Sequence, residues 1–231
     1  MSSEFNLNYL NFSEFFSYTD CVETNLVAHT GGRMVFFKNG KILLTIGDWT
    51  WEQMVLAQDR NSIFGKIISI DIKSKDYEII AMGSRNAQGL YYDEDRDIII
   101  HTEHGPIGGD EININFHPDN KIIENYGWPI SSYGLGQKNI KYTEHKKYGF
   151  EEPVYYFESN CGPSDIIKIP KDFLSQFKND YLLGCLSGRD ALYGSAFYHY
   201  RLNENKLKKV DRIFMNDRIR DLRMFEDNIL V

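Results

Sequence analysis

The sequence has few cysteines, no long hydrophobic run and, in its first residues, no secretion-signal pattern. Its three cysteines, Cys21, Cys161 and Cys185, fit neither the ligand spacing of a zinc site nor a dense disulfide framework. We interpret them as core or loop thiols, with one disulfide in an oxidising compartment as the alternative. No stretch reaches the roughly 18 apolar residues of a membrane helix. The N-terminal residues also lack the basic region and apolar run of a secretion signal.

Positive charge is in short supply as well. The 26 Lys and Arg residues are outnumbered by 33 Asp and Glu residues, which gives a formal net charge of -7. This balance argues against nucleic acid or an anionic membrane as the main partner. The chain has 231 residues, of which 42% are hydrophobic and 14% aromatic, and this is typical of a folded protein with a sizeable core.

The strongest organisational signal is an internal repeat of strand, polar turn and strand. Residues 33–47 read RMVFFKNGKILLTIG, two apolar strands around a polar turn. The same hairpin pattern recurs in residues 89–103, 164–186 and 221–231. Between the hairpins lie strands with the period-two alternation of half-buried β-structure, residues 66–72 and 197–202, each followed by a turn and a further strand, residues 77–82 and 208–215.

A unit of four antiparallel strands that recurs every several tens of residues predicts an all-β fold, a β-propeller. We expect residues 1–231 to form a single partial propeller of roughly four blades, with one repeat stretched by a long insertion at residues 113–152. A β-sandwich is the alternative. It does not account for the similarity between residues 66–100 and 197–231.

The propeller prediction places a set of polar and charged residues on one rim. In a propeller, the loop that enters the innermost strand of each blade opens on one end of the central channel. The loop between the second and third strands of each blade opens on the same end. The rim set consists of His29, Asp48, Arg85, Asn86, Gln88, His104, Arg189, Arg218 and Arg220. Convergent charged groups of this kind suit a multiply anionic ligand.

Residues 102–111, TEHGPIGGDE, combine a turn that exposes backbone carbonyls with several carboxylates. Oxygen ligands of this type are what Ca²⁺ requires. The alternative is an ordinary loop, because Gly-Pro and Gly-Gly also punctuate loops.

Six short motifs occur along the chain in a fixed order. They are His-Thr-Gly-Gly-Arg, Thr-Ile-Gly-Asp, Arg-Asn-Ala-Gln-Gly, Thr-Glu-His-Gly-Pro with Gly-Gly-Asp-Glu, Asn-Tyr-Gly-Trp-Pro and Arg-Ile-Arg-Asp. Together they resemble the soluble PQQ-dependent sugar dehydrogenases, the glucose/sorbosone or aldose sugar dehydrogenase family. The likeness runs from about residue 25 to residue 231.

The resemblance implies a six-bladed propeller that binds pyrroloquinoline quinone (PQQ) and Ca²⁺ at its mouth. Such enzymes oxidise an aldose at its anomeric carbon to a lactone and pass electrons to an external acceptor. The partners implied are therefore a small-molecule sugar and that acceptor. Family members are mostly exported, so the resemblance also implies a periplasmic or secreted location.

Carried over by motif, His29 resembles the general base and Asp48 the residue that orients its imidazole. The backbone carbonyls of Gly105 and Pro106 would hold the Ca²⁺. Glu111 and Tyr126 match a second, structural Ca²⁺ site of some members. The residues that would surround the cofactor are Arg85, Asn86, Gln88, His104, Arg218 and Arg220.

Two local departures from the family pattern leave other functions open. Ser187 stands where several members carry a cofactor-binding lysine, and Arg189 is the nearest replacement for its charge. This favours, as the alternative function, a non-catalytic binding propeller that has kept the family fold and lost cofactor binding. A third reading is a metal-dependent lactonase, which ranks last because the rim is rich in arginine rather than carboxylates. Residues 157–161 lack a tryptophan found near the sugar in some members, so sugar preference is not carried over.

The chain starts inside one repeat and stops within a hairpin. We therefore expect it to be part of a longer reading frame. A propeller removes its strand edges only by closing, so an open arc is expected to expose unpaired edges and to aggregate or fold poorly.

Overall fold

A computed structural model describes most of the chain. The described residues are 2–5, 10–19, 21, 28–50, 52–136, 141–170, 173, 176–177, 179–186, 194–226 and 228–231. The strands are β1 (Ser2–Phe5), β2 (Leu10–Ser13), β3 (Gly31–Phe37), β4 (Lys41–Ile46), β5 (Lys66–Asp71), β6 (Tyr77–Met82), β7 (Ala87–Asp93), β8 (Ile98–Glu103), β9 (Asp110–Asn115), β10 (Glu124–Asn125), β11 (Tyr155–Phe157), β12 (Pro163–Lys168), β13 (Tyr181–Cys185), β14 (Ala196–Asn203), β15 (Lys206–Phe214), β16 (Arg223–Phe225) and β17 (Asn228–Leu230). Short 3-10 helices span Lys38–Gly40, Met54–Gln58 and His145–Tyr148. Within this described part, no helix has the length and apolarity needed to cross a membrane.

The strands assemble into three blades of four antiparallel strands. Blade 1 has the order β3-β4-β5-β6, blade 2 has β7-β8-β9-β11, and blade 3 has β12-β13-β14-β15. The hairpin β16-β17 follows blade 3, and β1-β2 forms a separate hairpin. The repeat predicted from the sequence is confirmed, with three full blades and two strands of a fourth among the described residues.

The insertion in blade 2 has an outcome that the sequence pattern does not predict. After β9 the chain leaves blade 2, and β10 adds to blade 1 in parallel beside β6. The chain then returns to complete blade 2 with β11, which pairs antiparallel with β9. The insertion therefore joins two blades.

The inner strands lie side by side, with β3 packed against β7 and β7 against β12. Apolar clusters fill the spaces between successive blades. Blades 1 and 2 enclose Leu43, Ile67, Leu90 and Ile99, and blades 2 and 3 enclose Ile100, Ile112, Tyr181, Leu183 and Tyr198. Burial of each side chain of this size stabilises the fold by roughly 1.5–3 kcal/mol relative to its exposure to water. Inner strands gathered around one axis define a propeller, so the β-sandwich alternative is wrong.

One arginine ties the inner strands together at the axis. Arg33, on β3, donates from Nε to the carbonyl of Gln88 at 3.1 Å and from Nη2 to the carbonyl of Ser164 at 3.2 Å. Its Nη1 donates to Asp221 Oδ1 at 2.6 Å. A single guanidinium therefore links three blades to the segment that leads into β16.

A buried carboxylate lies beside this arginine. Asp165 Oδ2 accepts hydrogen bonds from the Leu222 amide at 3.1 Å and from Arg223 Nη1 at 3.0 Å. Burial raises the pKa of Asp165 to about 7, helped by a hydrogen bond with Asp221 and opposed by the charge of Arg33. The two carboxyl groups therefore share a proton that resides on Asp165.

The pH dependence of unfolding tests this proton. The pKa of Asp165 is higher in the folded state than in the unfolded state, so the folded state binds this proton more tightly. The bound proton therefore stabilises the fold at low pH, and this stabilisation is lost as pH rises from about 4 to about 7. We expect the melting temperature of Asp165→Asn, relative to wild type, to increase across that window. Calorimetry from pH 4 to 8 measures it, and a difference that is constant with pH would contradict the assignment.

The cysteines are paired differently from the favoured interpretation. Cys161 and Cys185 form a disulfide with their Cα atoms 5.4 Å apart, and it joins the segment before β12 to the end of β13. Cys21 is a free, exposed thiol. The reading of all three as thiols is wrong, and the alternative of one disulfide is the observed state.

Candidate functional site

A cleft of about 320 Å³ opens where the chain enters the inner strands. Its lining includes seven of the residues predicted for the site, namely His29, Arg85, Asn86, His104, Gly105, Pro106 and Arg218. Asp110, Asn160, Gly162 and Leu186 complete the lining. Segments that are up to about 190 residues apart in sequence therefore meet at one mouth, as the rim prediction requires.

His29 and Asp48 form a hydrogen-bonded pair at the edge of this cleft. His29 Nδ1 lies 2.9 Å from Asp48 Oδ1, and the Asp48 side chain is 1% exposed. His29 Nε2 lies 2.8 Å from Arg85 Nη2, which can only donate. These partners place the proton of the imidazole on Nδ1 and a lone pair on Nε2.

The backbone at this corner is held by close approach of two segments. His29 has a φ of 54°, and its carbonyl accepts from the Trp49 amide at 3.3 Å. A Cβ atom on Gly47 would lie 1.6 Å from the His29 carbonyl oxygen. The glycine of the Thr-Ile-Gly-Asp motif is therefore required because only a residue without a side chain lets the His29 segment pass.

Substitution of Gly47 is expected to disrupt the site. Gly47→Ala must displace the His29 backbone, and we expect a loss of about 3 kcal/mol or more in the free energy of unfolding. Gly40→Ala is the matched control, since its Cβ would meet nothing within 4 Å and its cost is about 1 kcal/mol for the positive φ. Urea unfolding measures both, and equal losses would refute the close approach.

Arg85 is the most deeply buried cation of the cleft, with 8% exposure. Its Nη1 donates to the carbonyl of His104 at 2.9 Å, and its guanidinium lies 5.4 Å from the centre of the Trp128 ring. Burial lowers the pKa of Arg85, and the charges of Asp48 and Glu103 oppose that shift. The group stays charged, so it presents a fixed positive centre to the cleft.

The Arg85–Asn86 turn is held from below by Glu103. The backbone amides of Arg85 and Asn86 donate to Glu103 Oε2 at 2.9 and 3.0 Å. Burial raises the pKa of Glu103 to about 8, although these two amide donors work against the shift. Sequence analysis noted Glu103 only as one carboxylate of residues 102–111, because its role depends on a contact between the end of β8 and the turn before β7.

His104 and Asn86 bind each other across the cleft wall. His104 Nε2 lies 2.9 Å from the Pro163 carbonyl, so Nε2 carries the proton and Nδ1 faces Asn86 Nδ2 at 3.4 Å. Burial lowers the pKa of His104, which keeps the ring neutral. Gln88 donates to Asn86 Oδ1 at 2.9 Å but lines the neighbouring cavity with Arg33. Its contribution to the cleft is therefore indirect.

The loop that carries Gly105 and Pro106 is braced by Asp110. This carboxylate accepts from the Gly105 amide at 2.8 Å and from Asn160 Nδ2 at 2.9 Å. It also accepts from the amides of Cys161 and Gly162 at 2.7 and 2.8 Å. Asp110 thus braces the loop.

The carbonyl oxygens of Gly105 and Pro106 accept no backbone hydrogen bond from the described residues. In that same part of the chain, no three side chains of His, Cys, Asp or Glu form a cluster that could hold a metal ion. The predicted Ca²⁺ site consists of the backbone carbonyls of Gly105 and Pro106 and does not depend on such a cluster of side chains.

Glu111 and Tyr126 lie on a second, much smaller cavity behind the Gly105–Pro106 turn. Glu111 is bound by His145 Nε2 at 3.1 Å and by Asn113 Nδ2 at 3.3 Å. The Tyr126 hydroxyl donates to Glu124 at 2.5 Å. Both side chains are engaged by protein partners, and they border the same small space.

The arginines near the C-terminus are placed differently from one another. Arg218 is exposed and lines the cleft. Arg220 is exposed but is not among the residues that line it, while Ile219 between them is buried. Arg189 and Ser187 lie outside the described residues.

Trp128 is, like Glu103, a site residue whose role sequence analysis missed. It is 4% exposed, and its Nε1 donates to Asp48 Oδ2 at 2.6 Å. The Asn-Tyr-Gly-Trp-Pro motif draws attention to it, but a tryptophan in an apolar context is more often core packing. Its hydrogen-bond partner is 80 residues away in sequence.

The profile of the glucose/sorbosone dehydrogenase family matches residues 9–231. Together with the propeller fold, this match shows that the chain belongs to that family of sugar dehydrogenases. The aldose sugar dehydrogenase YliI of Escherichia coli (strain K12) is 30% identical over 220 residues, which cover 87% of this chain and 56% of that protein.

Solved structures share the fold. The apo-form of the soluble aldose sugar dehydrogenase from Escherichia coli is 27% identical with a TM-score of 0.71, and the match covers 85% of this chain and 58% of that one. The PQQ-bound aldose sugar dehydrogenase of Streptomyces coelicolor is 21% identical with a TM-score of 0.59, over 84% of this chain and 52% of that one. The chain thus spans about half the length of these relatives and covers only part of the propeller.

Proposed function

We propose that this chain provides the catalytic cleft of a PQQ- and Ca²⁺-dependent dehydrogenase that oxidises an aldose at its anomeric carbon to a lactone. The observation that carries the proposal is the His29–Asp48 pair at 2.9 Å on the edge of an arginine-lined cleft. Family membership supports the reaction class. The bound PQQ of the Streptomyces relative is a property of that protein and motivates the choice of cofactor.

The donor set of the cleft fits PQQ, a planar quinone with three carboxylates. Arg85 and Arg218 supply guanidinium groups, which match carboxylates in geometry and charge. The amide of Asn86 and the ring of His104 lie on the same wall, joined at 3.4 Å. We assign these four residues to cofactor binding, with Gln88 supporting Asn86 from behind. Arg189 and Arg220 remain candidates from the resemblance alone.

The Gly105–Pro106 turn fits a hard cation. Its carbonyl oxygens accept no backbone hydrogen bond from the described part of the chain, and Asp110 fixes the loop through the Gly105 amide at 2.8 Å. We assign Ca²⁺ to these two carbonyls. A second, structural Ca²⁺ beside Glu111 and Tyr126 is proposed from the resemblance and from their shared cavity.

When bound, PQQ supplies the electrophilic quinone that accepts hydride from the anomeric carbon. His29 Nε2 takes the proton of the anomeric hydroxyl, because Nδ1 is occupied by Asp48 and Nε2 is the ring nitrogen next to Arg85, which lines the cleft. Asp48 then stabilises the imidazolium by its charge. Arg85 donates to the same Nε2 at 2.8 Å, so it must release that nitrogen before the sugar hydroxyl can bind there.

Two further parts of the proposal rest on family membership and resemblance. Electrons leave to an external acceptor, and the protein works in the periplasm or outside the cell. The Cys161–Cys185 disulfide supports an oxidising compartment. A non-catalytic binding propeller is the second candidate, favoured by Ser187 in place of a cofactor-binding lysine.

Reconstitution tests the cofactor assignment. The protein is expected to bind PQQ with Ca²⁺ and to reduce a dye with one or more aldoses. Arg85→Gln should weaken PQQ binding by roughly tenfold or more, since a charge-assisted pair is lost. Exposed Arg60→Gln is the control and should bind normally. No binding of PQQ would eliminate the dehydrogenase proposal and favour the non-catalytic propeller that has lost the cofactor. Bound PQQ without dye reduction by any aldose would refute the assigned reaction.

Removal of the base tests the chemistry separately. His29→Ala should lower turnover by about 10²–10⁴-fold, the usual contribution of a general base, while PQQ stays bound. His117→Ala, at an exposed position, should leave turnover unchanged. Stopped-flow dye reduction and cofactor absorbance give the two readouts. Wild-type turnover in His29→Ala would refute the role of His29.

A further inference from the structure

The carboxylate of Asp48 is held from both sides. Oδ1 lies 2.9 Å from His29 Nδ1, and Oδ2 accepts from Trp128 Nε1 at 2.6 Å. We propose that Trp128 is a positioning residue that fixes the orientation of Asp48, and through it the imidazole of His29. The inference deepens the proposed dehydrogenase function and rests on it.

The insertion delivers Trp128 to this position by anchoring its backbone to blade 1. The Trp128 amide donates to the Gly83 carbonyl at 3.0 Å, and its carbonyl accepts from Gln58 Nε2 at 2.7 Å. Gly83 has a φ of +75°, and a Cβ there would lie 2.3 Å from Asn125 Oδ1. Both backbone polar groups of Trp128 are therefore hydrogen-bonded to blade 1, and this fixes where the indole starts. Such anchoring is not needed for a side chain that only fills space.

The two hydrogen bonds restrict rotation of a buried carboxylate. Asp48 is 1% exposed, so neither oxygen can turn to bulk water when a protein donor is removed. The indole N–H engages Oδ2, which leaves Oδ1 directed at His29. The face of the same indole lies 5.4 Å from the Arg85 guanidinium. The Trp128 side chain thus orients the His29–Asp48 pair and also contacts Arg85, the cation that occupies His29 Nε2.

The chain contains a matched control for this contact. Trp49 follows Asp48 directly, and its Nε1 is buried with no hydrogen-bond partner among the described residues. Its ring packs edge-on against Phe64, with centroids 6.0 Å apart. Trp49→Phe and Trp128→Phe each remove one indole N–H, but only the second removes a donor to the Asp48 carboxylate.

The kinetic test compares these variants in the PQQ- and Ca²⁺-loaded protein. Trp128→Phe is expected to lower kcat about tenfold with KM for the sugar nearly unchanged, because a hydrogen bond to a charged group is lost. Trp49→Phe should match wild type. In an Asp48→Asn background, Trp128→Phe should cost little more, since both changes act through one group. Equal kcat in the two Phe variants, or additive losses with Asp48→Asn, would overturn the proposal.

A second test needs no cofactor and no activity. The proton between His29 Nδ1 and Asp48 gives a far-downfield NMR resonance, assigned by its absence in His29→Gln. We expect it in wild type and Trp49→Phe, and expect it to be lost or strongly broadened in Trp128→Phe. A sharp, unshifted resonance in Trp128→Phe would refute the positioning role. If the resonance behaves as expected but no variant oxidises a sugar, the proposed function fails while the positioning role stands.

If the Trp128→Phe variant unfolds, its lost resonance says nothing about the alignment of Asp48 and His29, and melting curves identify that case. A second variant then carries 3-benzothienylalanine at position 128, in which sulfur takes the place of the indole N–H and the ring size is kept. With this side chain, a lost resonance supports the proposal and a retained one refutes it.

Discussion

The site depends on one buried carboxylate that must be paired on both oxygens. Asp48 has 1% exposure, and its two partners come from distant segments, His29 before blade 1 and Trp128 in the insertion of blade 2. A buried charge without such partners would be strongly unfavourable. The need to satisfy it therefore couples the insertion, the mouth of the propeller and the geometry of the candidate base.

The propeller architecture is what brings these partners together. Each blade contributes only short connections to the mouth. Three blades and the segment before β16 nevertheless supply two imidazoles, two guanidiniums and a carbonyl-bearing turn to one cleft. Arg33 and the Cys161–Cys185 disulfide lie close to the same connections and limit their movement. Rigid strands thus hold polar loops in place, which is how a preorganised site is built.

Sequence patterns were sufficient wherever structure is local. Alternating strands and polar turns predicted the hairpins of all three blades. Combined with the propeller topology, these patterns also placed five of the nine rim residues at the cleft, namely His29, Arg85, Asn86, His104 and Arg218. They failed where partners are distant: β10 crosses to blade 1, Trp128 bonds to Asp48, and Cys161 pairs with Cys185. Arg220 also falls outside the cleft lining although Arg218, two residues away, lies within it. Such contacts depend on how whole blades pack, which no single segment encodes.

A crystal structure with PQQ and Ca²⁺ is the most direct test of the account. It should place the quinone in the cleft between Arg85 and Arg218, with Ca²⁺ on the carbonyls of Gly105 and Pro106. Arg85 should have left His29 Nε2, and the Trp128–Asp48–His29 hydrogen bonds should be intact. A quinone bound elsewhere, or an Arg85 that still occupies Nε2 with cofactor present, would contradict the proposed chemistry.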